Sequence, residues 1–450
     1  VSGEKPREIA ARVLGQRVAG EYVEDLLDRS LAHAGLSAAD RRLCQELVYG
    51  IVRWQATLDW LVARKAQNRP QKPALQDLLR LGLYQIFWLD RIPNHAAVNE
   101  TVELAKHRGL GAQAGFVNAL LRGYLREFDV TKQALVELKT RQPALGYSHP
   151  NWLVARWLER WGAEATGRLL AWNNIPPGTF ARVNTLKAEA GKLLAQWRDE
   201  GVEYDFFRAD WAEENLAFEL KSHPPLERLP SFQQGLFYIQ DPSTLLAVRE
   251  LGPQPGETVL DLCAAPGGKL SYIAQLMRNE GRLMALDVAP GRLKLIEENC
   301  ARLGITCVET GLSSSFLTPH PAARAPLFDR LLLDAPCSNT GVMARRVDLR
   351  WRIRLGEIER LCRTQTELLG QAAELLKPGG TMVYSTCSLE PEENRGIVDG
   401  FLKANPAFRL QQERKLKPFM EGVDGAYVAR LTVAVQGQTA SQGSEDVMRE

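Results

Sequence analysis

Two cysteines stand where apolar, strand-like runs give way to loops: Cys337 in LLLDAPCSNTG (331–341) and Cys387 in GGTMVYSTCS (379–388). A third run, TVLDLCAAPGGK (258–269), passes straight into a glycine-rich turn. In a doubly wound parallel sheet, ligands bind outside the carboxyl ends of the strands. Neighbouring strands lie about 4.8 Å apart, so thiols at two adjacent strand ends can converge on one substrate. A cysteine on a strand is usually a core residue, and Cys44, Cys300, Cys307 and Cys362 are assigned to that class. Cys337 and Cys387 differ because they sit at a loop opening, with Asp334 before the first and Ser385, Thr386 and Ser388 around the second. The chemistry indicated is that of a nucleotide-like cofactor beside a pair of thiols.

The turn AAPGG lets the backbone approach a ligand closely while the next helix points its N-terminus there. It is not G-x-G-x-x-G. A Walker loop would need glycine where Cys263 stands and serine or threonine at Leu270. The following strand ends at Asp287, 20 residues after Gly267, where a carboxylate can accept from ribose hydroxyls. The plainer reading is an α/β turn that needs glycine, followed by a surface aspartate. With no pyrophosphate fingerprint, a nucleoside cofactor fits better than a dinucleotide, and S-adenosylmethionine, leaving as S-adenosylhomocysteine, is the natural candidate. Its expected contacts are Ala264, Ala265, Pro266, Gly267, Gly268, Lys269 and Asp287, with Cys263 packed beneath the loop.

These residues must be positioned by something. The chain of 450 residues, 45% hydrophobic, can build several cores. Residues 1–142 read as a helical bundle: Leu75, Leu78, Leu79, Gly82, Leu83 and Ile86 follow a helical stripe, as do Val117, Leu120, Leu121, Tyr124 and Leu125. Residues 143–240 read as a linker helix carrying Trp152, Trp157 and Trp161, then a small α+β domain after Pro176-Pro177-Gly178. From 241 to 432, apolar runs at 258–263, 282–288, 328–335 and 380–386 alternate with helical segments at 268–279, 290–303, 357–376 and 391–404. That alternation predicts a parallel, Rossmann-like α/β sheet with helices on both faces. The polar stretch 433–450 is expected to be a disordered tail.

Seven cysteines without a C-x-x-C pair, and six histidines, predict reduced thiols and no metal site. No apolar run of about 18 residues is present, so no membrane span is expected. The first residues, VSGEKPREIA, lack an apolar signal core, so a cytoplasmic location is expected. Residues 1–150 carry a net charge of +5 and the rest −3, a distribution compatible with nucleic-acid binding by the front.

DLCAAPGGK, DAPCS and STCS, in that order, resemble the RNA (cytosine-5)-methyltransferases related to the Sun/Fmu and nucleolar Nop2 proteins. HAAVNETVELAKHRG with FVNALLR (95–122) resembles the NusB-like RNA-binding domain at the front of the bacterial members. FARVNTLK, FYIQDPST, PEEN and VDGAYVARL resemble further segments, so the likeness covers roughly residues 5–432. The resemblance implies small-subunit ribosomal RNA as substrate, S-adenosylmethionine as methyl donor and a covalent thiol adduct at carbon 6 of cytosine; a monomer is expected. It implies Cys387 as nucleophile and Cys337 as the residue assisting release. Asp334 would contact the base or the cofactor's amino-acid end, and Lys269 would shape the loop. The chain departs from the family's pattern at two places. Asn339 stands where glycine or alanine is common, and Gly311-Leu312 where an acidic residue usually ends the third strand, leaving Leu312 as a pocket-lining position.

Arg345, Arg346, Arg350, Arg352 and Arg354 follow Cys337 closely and are expected to contact RNA phosphates or stack on exposed bases. Two other functions compete: a cytosine-5 methyltransferase of tRNA or DNA, the DNA enzyme using Cys337 as nucleophile, and a non-catalytic RNA-binding assembly factor.

Overall fold

The computed structural model describes residues 5–17, 21–32, 34–316 and 328–434; of the expected tail, Val433 ends a strand and residues 435–450 lie outside the described residues. The chain forms two compact units, one running to Pro176 and including Met343–Arg352, the other made of Pro177–Val342 and the chain from Ile353.

The first unit is helical, as its periodicity predicts. Helices span Pro6–Gln16, Val23–Ala32, Ala38–Arg53, Gln55–Lys65, Pro73–Trp88, Asn94–His107, Ala114–Arg126, Phe128–Arg141 and Asn151–Trp172. Leu75, Leu78, Leu79, Leu83 and Ile86 are all buried, facing Val117, Leu120 and Leu121 in one core. Gly82 is where the helices close: a Cβ there would lie 2.7 Å from a Leu121 methyl. By its contacts the tryptophan-bearing helix Asn151–Trp172, which the sequence groups with the following α+β domain, falls in the helical unit.

So does Met343–Arg352, although the chain on both sides of it lies in the other unit. Val347 enters the helical core. Asp348 Oδ2 accepts the N–H of Val23 at 3.0 Å, and Trp351 Nε1 donates to the carbonyl of Val52 at 2.8 Å. Arg350 is fully buried and gives its guanidinium to the carbonyls of Asn173 at 2.8 Å and of Arg53 and Ser148 at 3.3 Å. Arg53 and Asn173 end two helices, whose last carbonyls have no intrahelical donor. A cation there satisfies those oxygens and meets the negative ends of the helix dipoles.

The second unit holds two sheets. β1 (Thr179–Val183), β2 (Glu203–Phe206), β3 (Ala217–Ser222) and β4 (Phe237–Ile239) make an antiparallel sheet in the order β2-β3-β1-β4. Helix Ala190–Asp199 seals its core with Trp197, edge-on to Phe218 and Phe237. The larger sheet contains β5 (Thr258–Asp261), β6 (Arg282–Asp287), β7 (Val308–Leu312), β8 (Phe328–Asp334), β9 (Leu376–Thr386), β10 (Phe408–Leu416) and β11 (Ala426–Val433), in the order β10-β11-β9-β8-β5-β6-β7.

Burial on both faces explains the apolar runs of the central strands. Val259, Leu283, Leu332 and Val383 join the core on one side, while Leu260, Met284, Leu331, Leu333 and Met382 join the other. The five strands from β7 to β9 are parallel, but β11 pairs antiparallel with β9, and β10 with β11, so the sheet is mixed rather than wholly parallel. The missed strand β10, FRLQQERKL, lies at the sheet edge, where charged side chains are tolerated and discourage further pairing. Among the described residues, no helix is long and apolar enough to cross a membrane.

Candidate active site

The adjacent strands β6, β5, β8 and β9 deliver Asp287, Asp261, Asp334 and the segment leading to Cys387 to their carboxyl ends. After β5 the chain turns through Ala264–Gly268 into helix Gly268–Leu276. Gly267 takes φ +102°, a conformation L side chains rarely adopt. Cys263, Ala264, Ala265, Pro266, Gly268 and Lys269 line a cleft together with Asp261 and Asp334. From the small sheet, Tyr238 and Gln240 close its side. Arg182, fully buried on β1, ties that sheet to the turn by donating to Gln240 Oε1 at 2.9 Å and the carbonyl of Gly268 at 3.0 Å.

Asp334 accepts from Lys269 Nζ at 2.6 Å and from Ser385 Oγ at 2.7 Å. Burial opposes the Lys269 ammonium, but Asp334 outweighs it and the lysine pKa is raised. Asp261 is 1% exposed and has an oxygen, Oδ1, without a hydrogen-bond partner. Burial, reinforced by the charge of Asp334, pushes its carboxyl up to about 7. A buried carboxylate with an open acceptor beside a cleft suits a cationic donor such as an ammonium group.

The two cysteines meet: Cys337 Sγ lies 3.4 Å from Cys387 Sγ. Cys337 is buried and Cys387 half-buried. The Cys337 thiol is raised well above its ordinary pKa, first by its hydrogen bond with Cys387 and then by burial. Asn339 donates from Nδ2 to the Cys337 carbonyl at 2.8 Å, while its Oδ1 accepts from the Cys387 thiol at 2.8 Å. Gly341 donates its N–H to the Cys387 carbonyl at 2.9 Å, and a Cβ there would lie 2.7 Å from that oxygen. Beneath the pair, fully buried Glu393 accepts from the N–H of Ser338 at 2.7 Å, the hydroxyls of Ser338 and Ser388, and Gln365 Nε2 at 3.1 Å. Asn394 Nδ2 adds a bond to the Ser388 carbonyl at 2.9 Å. Ser338 and Ser388 each directly follow a cysteine, so one carboxylate braces both thiol-bearing loops.

Asp287 ends β6 directly beside Leu312, its register partner on β7. Only 2% exposed, it accepts from the N–H groups of Ala265 at 3.2 Å and Val288 at 2.8 Å, and Arg292 lies 3.2 Å away. Carboxylate oxygens carry two acceptor sites each, so these bonds leave capacity for a ribose hydroxyl. The apolar side chain of Val288, 73% exposed, adjoins it and offers a face for an adenine ring. A carboxylate with spare acceptor capacity, an exposed apolar side chain, a close-approach turn and a buried carboxylate with an open acceptor suit the ribose, adenine and ammonium groups of S-adenosylmethionine, so the residues fit that cofactor.

The arginines divide. Arg345, Arg346, Arg350 and Arg352 belong to the helical unit, and Arg354 precedes helix Leu355–Ala373 with its guanidinium on the Ile353 carbonyl at 2.8 Å. Arg350 is withdrawn as an RNA contact, because its buried guanidinium is spent on helix-end carbonyls. Arg352 lies over the Tyr22 ring, 4.2 Å from its centre. The sequence reading passed over Asp261, Val288, Arg292, Glu393 and Asn394. A charged residue interrupting an apolar strand was a readable signal for Asp261; Glu393 had none beyond the PEEN likeness.

Residues 248–432 match the 16S rRNA methyltransferase RsmB/F family, residues 4–126 the NusB family, and residues 149–219 the ferredoxin-like domain of RsmF/B-like methyltransferases. The chain is 37% identical to the probable ribosomal RNA small subunit methyltransferase B of Bacillus subtilis, over 94% of this chain and 98% of that protein. It is 38% identical to the protein of the same description from Synechocystis sp., over 87% of each. Among solved structures, that of PH0851 is similar with a TM-score of 0.76 and 26% identity, over 95% of this chain and 100% of that one.

Proposed function

The chain belongs to the RsmB/F family of 16S ribosomal RNA methyltransferases, and from that membership we propose that it methylates carbon 5 of a cytosine in small-subunit ribosomal RNA through a covalent adduct with Cys387. The observation that carries the reading is the pair of thiols 3.4 Å apart at the strand ends that border the cofactor cleft.

Carbon 5 of cytosine is a weak nucleophile. A thiolate adding to carbon 6 pushes electron density onto carbon 5. S-adenosylmethionine, when bound, supplies a sulfonium methyl group to that carbon. Of the two sulfurs, Cys387 is the more accessible, and it is the one that interacts with the Lys269 ammonium. Asp334, oriented by Lys269 and Ser385, is in this reading the acceptor for the exocyclic amino group of the base or for the cofactor's amino-acid end. After methylation a base removes the carbon-5 proton. That electron pair restores the 5,6 double bond, the sulfur–carbon-6 bond breaks, and Cys387 departs as thiolate. Cys337, kept neutral by its surroundings, can donate its S–H to the departing sulfur and so assist release.

Tritiated cofactor with unmodified ribosomal RNA, tRNA and DNA tests the substrate, and digestion to nucleosides tests whether label resides in 5-methylcytidine. On a denaturing gel, Cys387→Ala should give neither turnover nor adduct, whereas Cys337→Ala should accumulate a protein–RNA adduct. Adduct persisting in Cys387→Ala and lost in Cys337→Ala would reverse the two roles, as the DNA-enzyme reading requires. Label in RNA at an atom other than carbon 5 would refute the proposal.

A further inference from the structure

Asn339, in the loop that carries Cys337, occupies a left-handed conformation, φ +58°. Asparagine is one of the few side chains that accept this region. Its amide orientation follows from its partners. Nδ2 faces the carbonyl oxygen of Cys337, which can only accept, so Oδ1 must be the atom facing Cys387 Sγ at 2.8 Å. An amide oxygen can only accept as well. The Cys387 sulfur must therefore supply the proton, and the neighbouring Cys337 S–H is left to donate to the Cys387 sulfur. The protons run in one direction, from Cys337 to Cys387 to Asn339.

We propose that Asn339 is a positioning residue that holds Cys387 as a protonated thiol, aimed by its amide oxygen, in the RNA-free enzyme. The inference rests on the reading of Cys387 as the attacking sulfur. A thiolate at this place would face the negative end of the Asn339 carbonyl dipole, so attack requires that the contact be broken or the amide turned. The other charged groups about the pair are Lys269 from helix Gly268–Leu276, which interacts with Cys387, Asp334 at the end of β8, which pairs with Lys269, and Glu393 beneath, which interacts with Cys337. Asn339 adds a local restraint on the one sulfur its amide oxygen faces. In a chain with glycine here the restraint would be missing. Asn339 thus tempers reactivity rather than supplying it.

The test is alkylation of Cys387 by iodoacetamide in the full-length, RNA-free protein, followed over pH by peptide mass spectrometry, which separates Cys387 from Cys337. Asn339→Gly suits the left-handed backbone and removes only the side chain. It should raise the rate at pH 7 about five-fold, the worth of one net hydrogen bond, and displace the pH profile downward. Asn339→Asp puts a carboxylate against the sulfur and should slow alkylation below wild type. Opposite effects of the two variants support the proposal. Equal effects in the same direction, or an unchanged rate in a glycine variant that melts like wild type, would overturn it. Methyl transfer by Cys387→Ala reads the other premise separately: turnover there removes the nucleophile assignment and leaves the alkylation result standing.

Discussion

Replacing Glu393 by alanine should loosen both thiol-bearing loops at once. The carboxylate takes four hydrogen bonds in a fully buried site, and their donors differ in what else they can reach. Gln365 Nε2 already shares a bond with the Pro336 carbonyl at 2.9 Å, and the hydroxyls of Ser338 and Ser388 lie 3.0 Å apart and can serve each other. The N–H of Ser338 has no such alternative, and a stranded buried donor costs about 1–3 kcal/mol. Loss of the charge-assisted hydroxyl bonds adds to this, partly offset because burial already raises the Glu393 pKa and weakens its preference for the charged form. A net local cost of about 3 kcal/mol corresponds to roughly hundred-fold faster opening of residues 337–342 and 385–394. With two units in the chain, global melting need not be two-state, so hydrogen exchange resolved by peptide is the proper assay. Methyl transfer should fall by about the same hundred-fold if the thiols drift by roughly 1 Å. Glu393→Gln retains one acceptor oxygen and should fall between. Unchanged exchange in both segments of a folded Glu393→Ala protein would refute the idea that one carboxylate sets the sulfur–sulfur spacing.

Asp287→Ala should weaken binding of S-adenosylhomocysteine by about 10- to 150-fold in calorimetry, since a charged acceptor is lost; unchanged affinity would dismiss the ribose contact. Asp261, with its carboxyl near 7, is neutral below that pH and anionic above it, and only the anion can hold an ammonium. Affinity for S-adenosylhomocysteine should therefore rise about ten-fold from pH 5.5 to 7 in wild type and stay flat in Asp261→Asn; a wild-type slope retained by Asp261→Asn rules out the assignment. Arg350→Ala strands carbonyls at two helix ends and should cost the helical unit about 3 kcal/mol, read as a lower melting temperature; an unaltered melt would mean those oxygens find other donors. Arg345→Ala should reduce the salt slope of RNA affinity by roughly 0.7–0.9, one counterion's worth, with an identical slope arguing against a phosphate contact.

The helix Pro290–Leu303 was legible to the residue because proline opens it and Gly304, at φ +74°, closes it. The central strands were legible because burial on both faces leaves an uninterrupted apolar run. The edge strand β10 was not: a strand with one neighbour and one open edge needs no such run, and its charges read as loop. The cysteine pair could be anticipated from strand-end position alone, since neighbouring strands have fixed spacing. Glu393 could not, because its partners Ser338 and Ser388 are joined to it only by the fold, 55 residues away in one case. Arg350 misled because a run of arginines carries no mark of which one turns inward. That choice is made by unpaired carbonyls at the ends of helices more than 170 residues upstream.

The placement of Met343–Arg352 in the helical unit has a consequence for synthesis. A ribosome makes Val1–Pro176 first, then all of Pro177–Val342, before the strand of chain bearing Val347 and Arg350 appears. At about 5–20 residues per second, that interval lasts roughly 10 to 30 seconds. Throughout it the emerging helices lack one core side chain and the donor for three backbone oxygens. The helical unit is thus begun before the other and completed only after the loop carrying Cys337 has been made.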